Sequence, residues 1–463
     1  MTNTQKYFKI HRMKIQNLKL FERTRVSKAV LILAIPTVLS QLMGVIYNMA
    51  DTFFIGQLND PNQVAASTLV FPLFILTASI SNLFGIGGAS FISRCLGRKH
   101  LRKARAGSAF CVWTSMASAF LYGAIIWAFR GTILPWVGAN HETYGFASDY
   151  LFWTIAVGAI PVMFNPMMAN LIRSEGFAKQ ASIGMASGVI LNILLDPIFI
   201  FGFDLKIEGA AIATFISISF STCYFLWFLH RQKGKTVITL NPRYYRAKKG
   251  IAKEIIGVGF PSCIFNATAT ASIIVLNILL AGYSTVAVAG MGIAKRVDVI
   301  AFSIANGMAQ GVLPLIAYNY AAQKYNRMKG AIKITLFYSL ILSVLTTFYL
   351  FFFAPELAHF FINDTQTVRF GQFFLKTMCV TCPCVSISVI IITIFQAVGY
   401  KITPIVLSLL RKGGLDIPLM IVLNHLYKLD GLVWALPIAD FLAMVVAIIT
   451  LQPFLKKHKE ENQ

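Results

Sequence analysis

The sequence predicts an all-α integral membrane protein with twelve transmembrane helices. Three observations lead there: an apolar composition, regularly recurring apolar stretches and an internal repeat. The 463 residues are 57% hydrophobic and 13% charged, with a mean hydropathy of +0.68, which is far from the usage of a soluble domain. Stretches long enough to cross a bilayer as helices occur at 29–55, 64–92, 106–129, 149–172, 182–202, 208–229, 254–280, 286–318, 331–353, 371–397, 403–424 and 431–454.

The second half of the chain repeats the first. A shift of 225 places Pro36 on Pro261 and Lys99 on Lys324. Each half then has six spans, an even number, so both halves have the same orientation in the membrane. We therefore expect two six-helix lobes related by a pseudo-two-fold axis along the membrane normal.

The repeat also predicts the domain boundaries. We expect a basic tail at 1–28, an N-lobe at 29–229, a basic linker at 230–253, a C-lobe at 254–454 and a second tail at 455–463. The tails and the linker are rich in Lys and Arg and are predicted to lie in the cytoplasm.

Positive charge is distributed unevenly over the predicted loops. The net charge is +23, and 34 of the 41 Lys and Arg residues lie on the side of the N-terminus, against five on the other side. Such a bias predicts a multi-pass protein of the plasma (cytoplasmic) membrane with both termini in the cytoplasm. The basic linker and tail could also bind RNA, but contact with anionic membrane lipid is the favoured interpretation, so no nucleic-acid partner is predicted.

Four polar residues fall inside the apolar spans of the first half. Asn192 and Asp196 are four residues apart and share one helix face, and Asp51 and Thr214 come from two other spans. Counting the helical rise places three of these side chains about 8 to 10 Å below the outer helix ends. An all-oxygen set containing two carboxylates suits a proton or Na⁺. The alternative is that each group only forms a hydrogen bond to a neighbouring helix.

The first span adds a polar stripe to this set. Positions separated by four and three residues share a helix face, and here they are polar or small: Thr37, Gln41, Gly44, Asn48 and Asp51. The stripe is expected to line a substrate cavity, although close helix packing is the alternative. Pro36 lacks an amide donor and can kink the helix, so we expect a switch there that responds to protonation of Asp51.

The second half does not copy the first-half site. Leu276 stands at the position matching Asp51, and Leu436 at the position matching Thr214. Instead the second half has its own intramembrane charges, from which we predict a C-lobe polar cluster of Arg296, Asp298, Asp416 and Asp440, with Lys295 beside it. Structural ion pairing and a role in transport both remain open for this cluster.

Enzyme and cofactor motifs are absent from the sequence. It has no Gly-rich phosphate loop followed by Lys and Ser or Thr, and its seven His residues lack metal-ligand spacing. The run Cys379, Cys382 and Cys384 resembles half of a metal site, but no second cluster accompanies it. We therefore predict a protein that is not an enzyme and has no cofactor or metal, apart from a coupling ion.

Several segments together resemble the multidrug and toxic compound extrusion (MATE) family, in its bacterial MepA-like branch. They are 35–56, 93–97, 192–202, 209–214, 292–297 and 311–320. The resemblance implies two six-helix lobes, rocker-like alternation and export driven by Na⁺ or H⁺. It also implies an N-lobe cation site at the four first-half residues and a helix kink at Pro36. Some members have an acid in the seventh span, where this chain has Asn266, Thr268 and Thr270.

From these observations we predict a secondary active multidrug exporter that works by alternating access. It would exchange small amphipathic, mostly cationic drugs or toxins for inward-moving H⁺ or Na⁺, and act as a monomer among membrane lipids. A flippase for lipid-linked precursors is the alternative, but it would need cationic groups lining its cavity. A membrane-embedded enzyme is less favoured, because no nucleophile, metal or cofactor motif is present.

Overall fold

The computed structural model describes residues 18–58, 60–246, 249–361 and 364–460. Within these residues every regular element is a helix. The predicted tails lie partly outside this range, at 1–17 and 461–463, as do residues 247–248 of the predicted linker.

The described residues of the first half form nine α-helices and two π-helical turns. They are α1 (Leu18–Glu22), α2 (Val26–Gly56), α3 (Pro61–Gly97), α4 (Leu101–Ala128), α5 (Arg130–Trp136), α6 (Tyr144–Leu151), a π turn (Phe152–Ala156), α7 (Ala159–Ser174), α8 (Ala178–Pro197), a π turn (Ile198–Gly202) and α9 (Lys206–Arg231).

The second half follows after a short 3₁₀ turn at Pro242–Tyr244. Its elements are α10 (Lys249–Ala281), α11 (Thr285–Ala321), α12 (Tyr325–Phe352), α13 (Ala354–Phe361), α14 (Thr365–Cys379), α15 (Cys382–Val398), α16 (Ile402–Leu409), a π turn (Leu410–Leu415) and α17 (Asp416–Glu460).

These helices account for the twelve predicted spans. In the described residues, nine helices are long and apolar enough to cross a membrane, and two bent helix pairs raise the number to eleven. One of the nine, Ile402–His458, has 57 residues, or about 86 Å, nearly three bilayer cores. It is interrupted at Lys428, where φ is 52° and ψ is −134°, so it supplies two spans.

Two of the predicted spans are bent, which the sequence pattern did not indicate. The span predicted at 149–172 bends by 46° between Ala156 and Ala159, and the one predicted at 371–397 bends by 50° between Cys379 and Cys382. Gly158 lies at the first bend, where a Cβ atom would come within 2.6 Å of the Thr154 carbonyl oxygen. Pro383 lies in the first turn of the helix after the second bend, a position that proline favours.

The internal repeat is visible in matching backbone turns. Lys99 and Gln323, 224 residues apart, both have a positive φ, of 60° and 58°. Gly176 and Gly399 do so as well, with φ of 89° and 93°. Since positive φ is uncommon outside glycine, two such pairs at nearly the same offset support the duplication.

The chain forms two compact units, and their boundaries fall inside helices. One unit contains Met43–Gly259, and the other contains Arg25–Leu42 with Phe260–Gln463. Helix α2 therefore contributes its first part to the second unit and its remainder to the first. Helix α10 is also divided, between Gly259 and Phe260.

Glycines permit close backbone approach within each unit. In the first unit, added Cβ atoms at Gly87 and Gly259 would clash with the backbones of Ile255 and Leu83. In the second unit, a Cβ at Gly311 would come within 2.8 Å of the Leu33 carbonyl oxygen. Small residues serve this purpose in membrane helices, and here they fix the divided helices to their neighbours.

Candidate functional site

The first unit brings together the four polar residues predicted in the N-lobe. Asp51 comes from α2, Asn192 and Asp196 from α8, and Thr214 from α9. Asn192, Asp196 and Thr214 are at most 1% exposed, and Asp51 is half-buried. Asp51 also lies within electrostatic reach of Asp196. We call these four residues the N-lobe site.

Hydrogen bonds connect three of the four side chains. The Asn192 amide donates to Asp196 Oδ1 at 3.0 Å and to Thr214 Oγ1 at 3.4 Å. The i, i+4 spacing on α8 makes the first bond possible. The amide therefore holds the carboxylate and the hydroxyl at a common centre.

Three oxygens at this site have no hydrogen-bond partner among the described residues. They are Asp51 Oδ1, Asn192 Oδ1 and Asp196 Oδ2, and all three are buried. A buried acceptor without a partner is costly, and a buried carboxylate more so. Three such oxygens are a suitable environment for a proton or a hard cation such as Na⁺.

Two tyrosines, Tyr47 and Tyr150, lie around the N-lobe site, and neither was predicted from the sequence. A hydrogen bond of 3.2 Å joins the hydroxyls of Tyr47 and Thr214. Tyr150 lies within electrostatic reach of Asp51 and Asp196. Tyr47 was detectable, because it precedes Asp51 by four residues and shares its helix face. Tyr150 had no such signal, since it lies on a separate helix, α6.

The other predicted residues of α2 are divided between the two units. Pro36 and Gln41 belong to the second unit, and Gly44 and Asn48 to the first. The Asn48 amide donates to the Gly44 carbonyl of its own helix at 2.9 Å. A Cβ at Gly44 would meet no heavy atom within 4 Å, so Gly44 has open space beside it and makes no close helix contact.

The second unit contains a cluster of paired charges. Arg411 Nε donates to Asp440 Oδ1 at 2.8 Å, and Lys412 Nζ donates to Asp416 Oδ2 at 2.9 Å. Lys412 Nζ also lies 3.7 Å from Asp440 Oδ1. The Ser272 hydroxyl donates to Asp416 Oδ2 at 3.1 Å. We call Arg411, Lys412, Asp416 and Asp440 the C-lobe cluster.

Not all of the predicted C-lobe residues enter this cluster. Asp416 and Asp440 are at its centre, and Asp298 lies within electrostatic reach of Asp440. Arg296 is exposed, and its neighbour Lys295 faces the acids instead. Arg411 and Lys412 were not predicted as site residues, although two adjacent bases in an apolar stretch are a visible signal.

A π-helical turn lies beside both sites. Ile198–Gly202 begins two residues after Asp196, and Leu410–Leu415 ends immediately before Asp416. Such turns insert a residue into a helix and are frequent at functional sites. Hydrophobic periodicity does not reveal such turns, so the directions of the Arg411 and Lys412 side chains could not be predicted.

No transition-metal site appears in the described part of the chain. It contains no group of three or more His, Cys, Asp or Glu side chains that could hold a metal ion. Cys379 and Cys382 are buried free thiols, and Cys384 is a half-buried one.

A further buried carboxylate fixes the loop after α9. Glu175, between α7 and α8, accepts hydrogen bonds of 2.6 Å from the Thr236 hydroxyl and from the Val237 amide. Burial raises the pKa of this carboxyl from 4.5 to about 7, against the opposing effect of the hydrogen bonds. Glu175 therefore helps to hold the predicted linker in place, together with Ser108 and Trp113, which donate to the Val237 and Leu240 carbonyls.

Comparison with protein families gives two matches in this chain. The family model described as MatE matches residues 36–198 and 261–422. The two matches begin 225 residues apart, the same offset as the internal repeat.

Curated relatives match over nearly the full chain. A multidrug export protein MepA from Staphylococcus saprophyticus is 33% identical and covers 94% of this chain and 96% of its own length. The MepA of Staphylococcus aureus is 31% identical with the same coverage.

Solved structures match the fold. A MATE crystal structure in complex with MaL6 has a TM-score of 0.91 at 22% identity, covering 96% of this chain and 99% of its own. An outward-facing multidrug resistance MATE family transporter of the MOP superfamily has a TM-score of 0.88 at 23% identity and the same coverage.

Proposed function

The chain belongs to the MatE family of multi-pass membrane transporters, and from this premise we propose that it exports drugs in exchange for a cation bound at the N-lobe site. The family membership confirms the predicted family and the all-α, twelve-span fold. It also agrees with the prediction of a transporter instead of an enzyme.

The observation that carries the proposal is the set of three buried oxygens without partners. Asp51 Oδ1, Asn192 Oδ1 and Asp196 Oδ2 together need positive charge or a proton. Neither a basic side chain nor a metal cluster of the described residues supplies it there. A cation entering from outside would supply it, and this gives the site its dependence on a gradient.

Binding at this site would act on α2. Asp51 is on α2, and Pro36 lies 15 residues earlier on the same helix. Charge neutralisation at Asp51 removes the electrostatic cost of a second carboxylate near Asp196, so α2 moves toward α8. We propose that the helix bends near Pro36, where an amide hydrogen bond is missing, and that this bend releases the drug.

The substrates proposed are small amphipathic compounds, mostly cationic. The relatives at 31% and 33% identity are named multidrug export proteins, which supports substrates of this class. We further propose a monomer in the plasma membrane, in contact with its lipids and with both termini in the cytoplasm, on the basis of the charge bias.

The test is uptake of a fluorescent cation into proteoliposomes, with Na⁺ and pH gradients imposed separately. Asp51→Asn is expected to reduce gradient-driven uptake at least ~10-fold while the protein remains folded, because the neutral amide cannot gain or lose the coupling charge. Asp430→Asn, at an exposed position, is the matched control and should transport normally. Undiminished transport by Asp51→Asn would refute the proposal.

A further inference from the structure

We propose that the C-lobe cluster is a second monovalent-cation site that this chain fills with its own lysine. In this arrangement the Lys412 ammonium takes the position that Na⁺ or a proton would otherwise take between Asp416 and Asp440. The inference extends the proposed function, because it explains why coupling would be limited to the N-lobe site.

The geometry shows Lys412 bridging two carboxylates. Its Nζ atom lies 2.9 Å from Asp416 Oδ2 and 3.7 Å from Asp440 Oδ1. The two acids are on the same long element, α17, but 24 residues apart and on opposite sides of the break at Lys428. A charge that contacts both acids therefore joins two spans, as a bound cation does.

Charge balance supports the same conclusion. The groups in electrostatic reach of one another comprise three bases and three acids: Lys295, Arg411, Lys412, Asp298, Asp416 and Asp440. With Lys412 present the set is neutral. Without it one buried carboxylate has no counter-charge, and an uncompensated charge inside a membrane protein is neutralised by a proton or an ion.

The coordination is also incomplete, as expected of a site and not of a closed salt bridge. Asp416 is fully buried, yet its Oδ1 has no hydrogen-bond partner among the described residues. Its Oδ2 instead accepts from both Ser272 and Lys412. The oxygens of Asp416, Asp440 and Ser272 thus form an acceptor set of the type that suits a hard cation.

Lys412 lies within the π turn at Leu410–Leu415. It precedes Asp416 by four residues, a spacing that brings the two side chains together, while the adjacent Arg411 contacts Asp440. π-helical turns are frequent where a side chain has a functional direction. Arg411 and Lys412 thereby reach two different acids from consecutive positions.

The test removes the Lys412 ammonium from a protein whose N-lobe site has been inactivated by substitution of Asp196. The full chain carrying Asp196→Asn is purified in detergent with and without Lys412→Met, and bound ²²Na⁺ and proton uptake are measured. Asp196→Asn alone sets the baseline, which includes protons bound by Asp51 and Glu175. Adding Lys412→Met should raise the total by about one monovalent cation per chain, as Na⁺ or as a proton. Adding Asp440→Asn as a third substitution should abolish binding of this additional cation.

The two measurements separate this inference from the proposed function, because they do not depend on binding at the N-lobe site. A folded Lys412→Met protein that gains neither Na⁺ nor a proton would overturn it. If Lys412→Met fails to fold in choline buffer, recovery by NaCl or by acid supports the inference. The opposite result is that neither NaCl nor acid restores folding, whereas the charge-neutral double variant Lys412→Met/Asp416→Asn folds. This result would show that Lys412 only forms a structural salt bridge, and it would overturn the inference.

Discussion

The N-lobe site and the C-lobe cluster treat buried carboxylates in opposite ways. Asp51 and Asp196 each keep one buried oxygen without a hydrogen-bond partner, and neither forms an ion pair with a basic side chain, within the part of the chain that the structure describes. Asp416 and Asp440 lie within 2.9 Å of Lys412 and Arg411. The first arrangement can accept positive charge from outside, and the second already holds it.

On the proposed function, this difference would explain how one duplicated fold restricts the coupling ion to one lobe. Family membership requires the same helices in both halves, but the charge balance of each half is set by a few side chains. At the position matching Asp51 the second half has Leu276, which is buried in an apolar core. The two halves therefore share an architecture and differ in the charge balance of their buried carboxylates.

The largest expected effect comes from breaking the pairing in the second lobe. Asp440→Asn leaves Arg411 without its counter-charge, so the free energy of unfolding should fall by about 3–5 kcal/mol. Asp196→Asn should change it by less than about 1 kcal/mol, because no base is left unpaired. Denaturant unfolding in detergent, measured for both variants without Na⁺, makes the comparison. Equal losses would contradict the contrast between the lobes.

Glu175 is intermediate between the carboxylates of the two sites, because it is buried and accepts hydrogen bonds but forms no ion pair among the described residues. The pKa of Glu175 is raised by burial from 4.5 to about 7. A raised pKa means that the docked loop binds the proton more strongly than the undocked loop. Its contribution is full below pH 4.5 and is lost as the pH rises through about 7.

We therefore expect the loop around Val237 to open more readily at pH 8 than at pH 5, by about tenfold for each pKa unit of difference. Hydrogen exchange of the Val237 amide, which donates to Glu175, measures this opening. Glu175→Gln is the control: exchange relative to this variant corrects for the intrinsic pH dependence. A ratio that does not change between pH 5 and 8 would contradict the assignment.

The smallest effect is expected for Tyr47, beside the N-lobe site. Tyr47→Phe removes the hydrogen bond to Thr214, a loss of about 0.5–1.5 kcal/mol. The apparent affinity for the coupling cation should fall by about two- to twelvefold, with the maximal rate retained. Tyr427→Phe, at a position that is 67% exposed, should leave the affinity unchanged. If both variants behave alike, Tyr47 does not support the site.

Much of the fold could be predicted from sequence because the membrane imposes few solutions. Apolar length and charge bias predict spans, and the 225-residue offset predicts the duplication. The bend at Gly158 and the π turn at Leu410–Leu415 could not be predicted. They depend on local backbone packing, which does not alter the hydropathy pattern.

The sites were predictable to different extents. Asp51, Asn192 and Asp196 stood out because carboxylates and amides are rare in apolar helices, and helical spacing joined two of them. Tyr150 was missed because aromatic residues are common in such a chain. In the second lobe, Arg296 was chosen over Lys295, since adjacent residues of a helix point about 100° apart and sequence alone does not say which one faces inward.

The division of α2 between two compact units has a mechanical consequence. Arg25–Leu42 and the Asp51 segment belong to different units, yet both are parts of one helix, α2. Each residue of an α-helix adds about 100° of rotation and about 1.5 Å of length, so the residue count of α2 sets the direction in which Asp51 points. One residue inserted before Tyr47 would therefore turn the Asp51 carboxylate about 100° away from its partners.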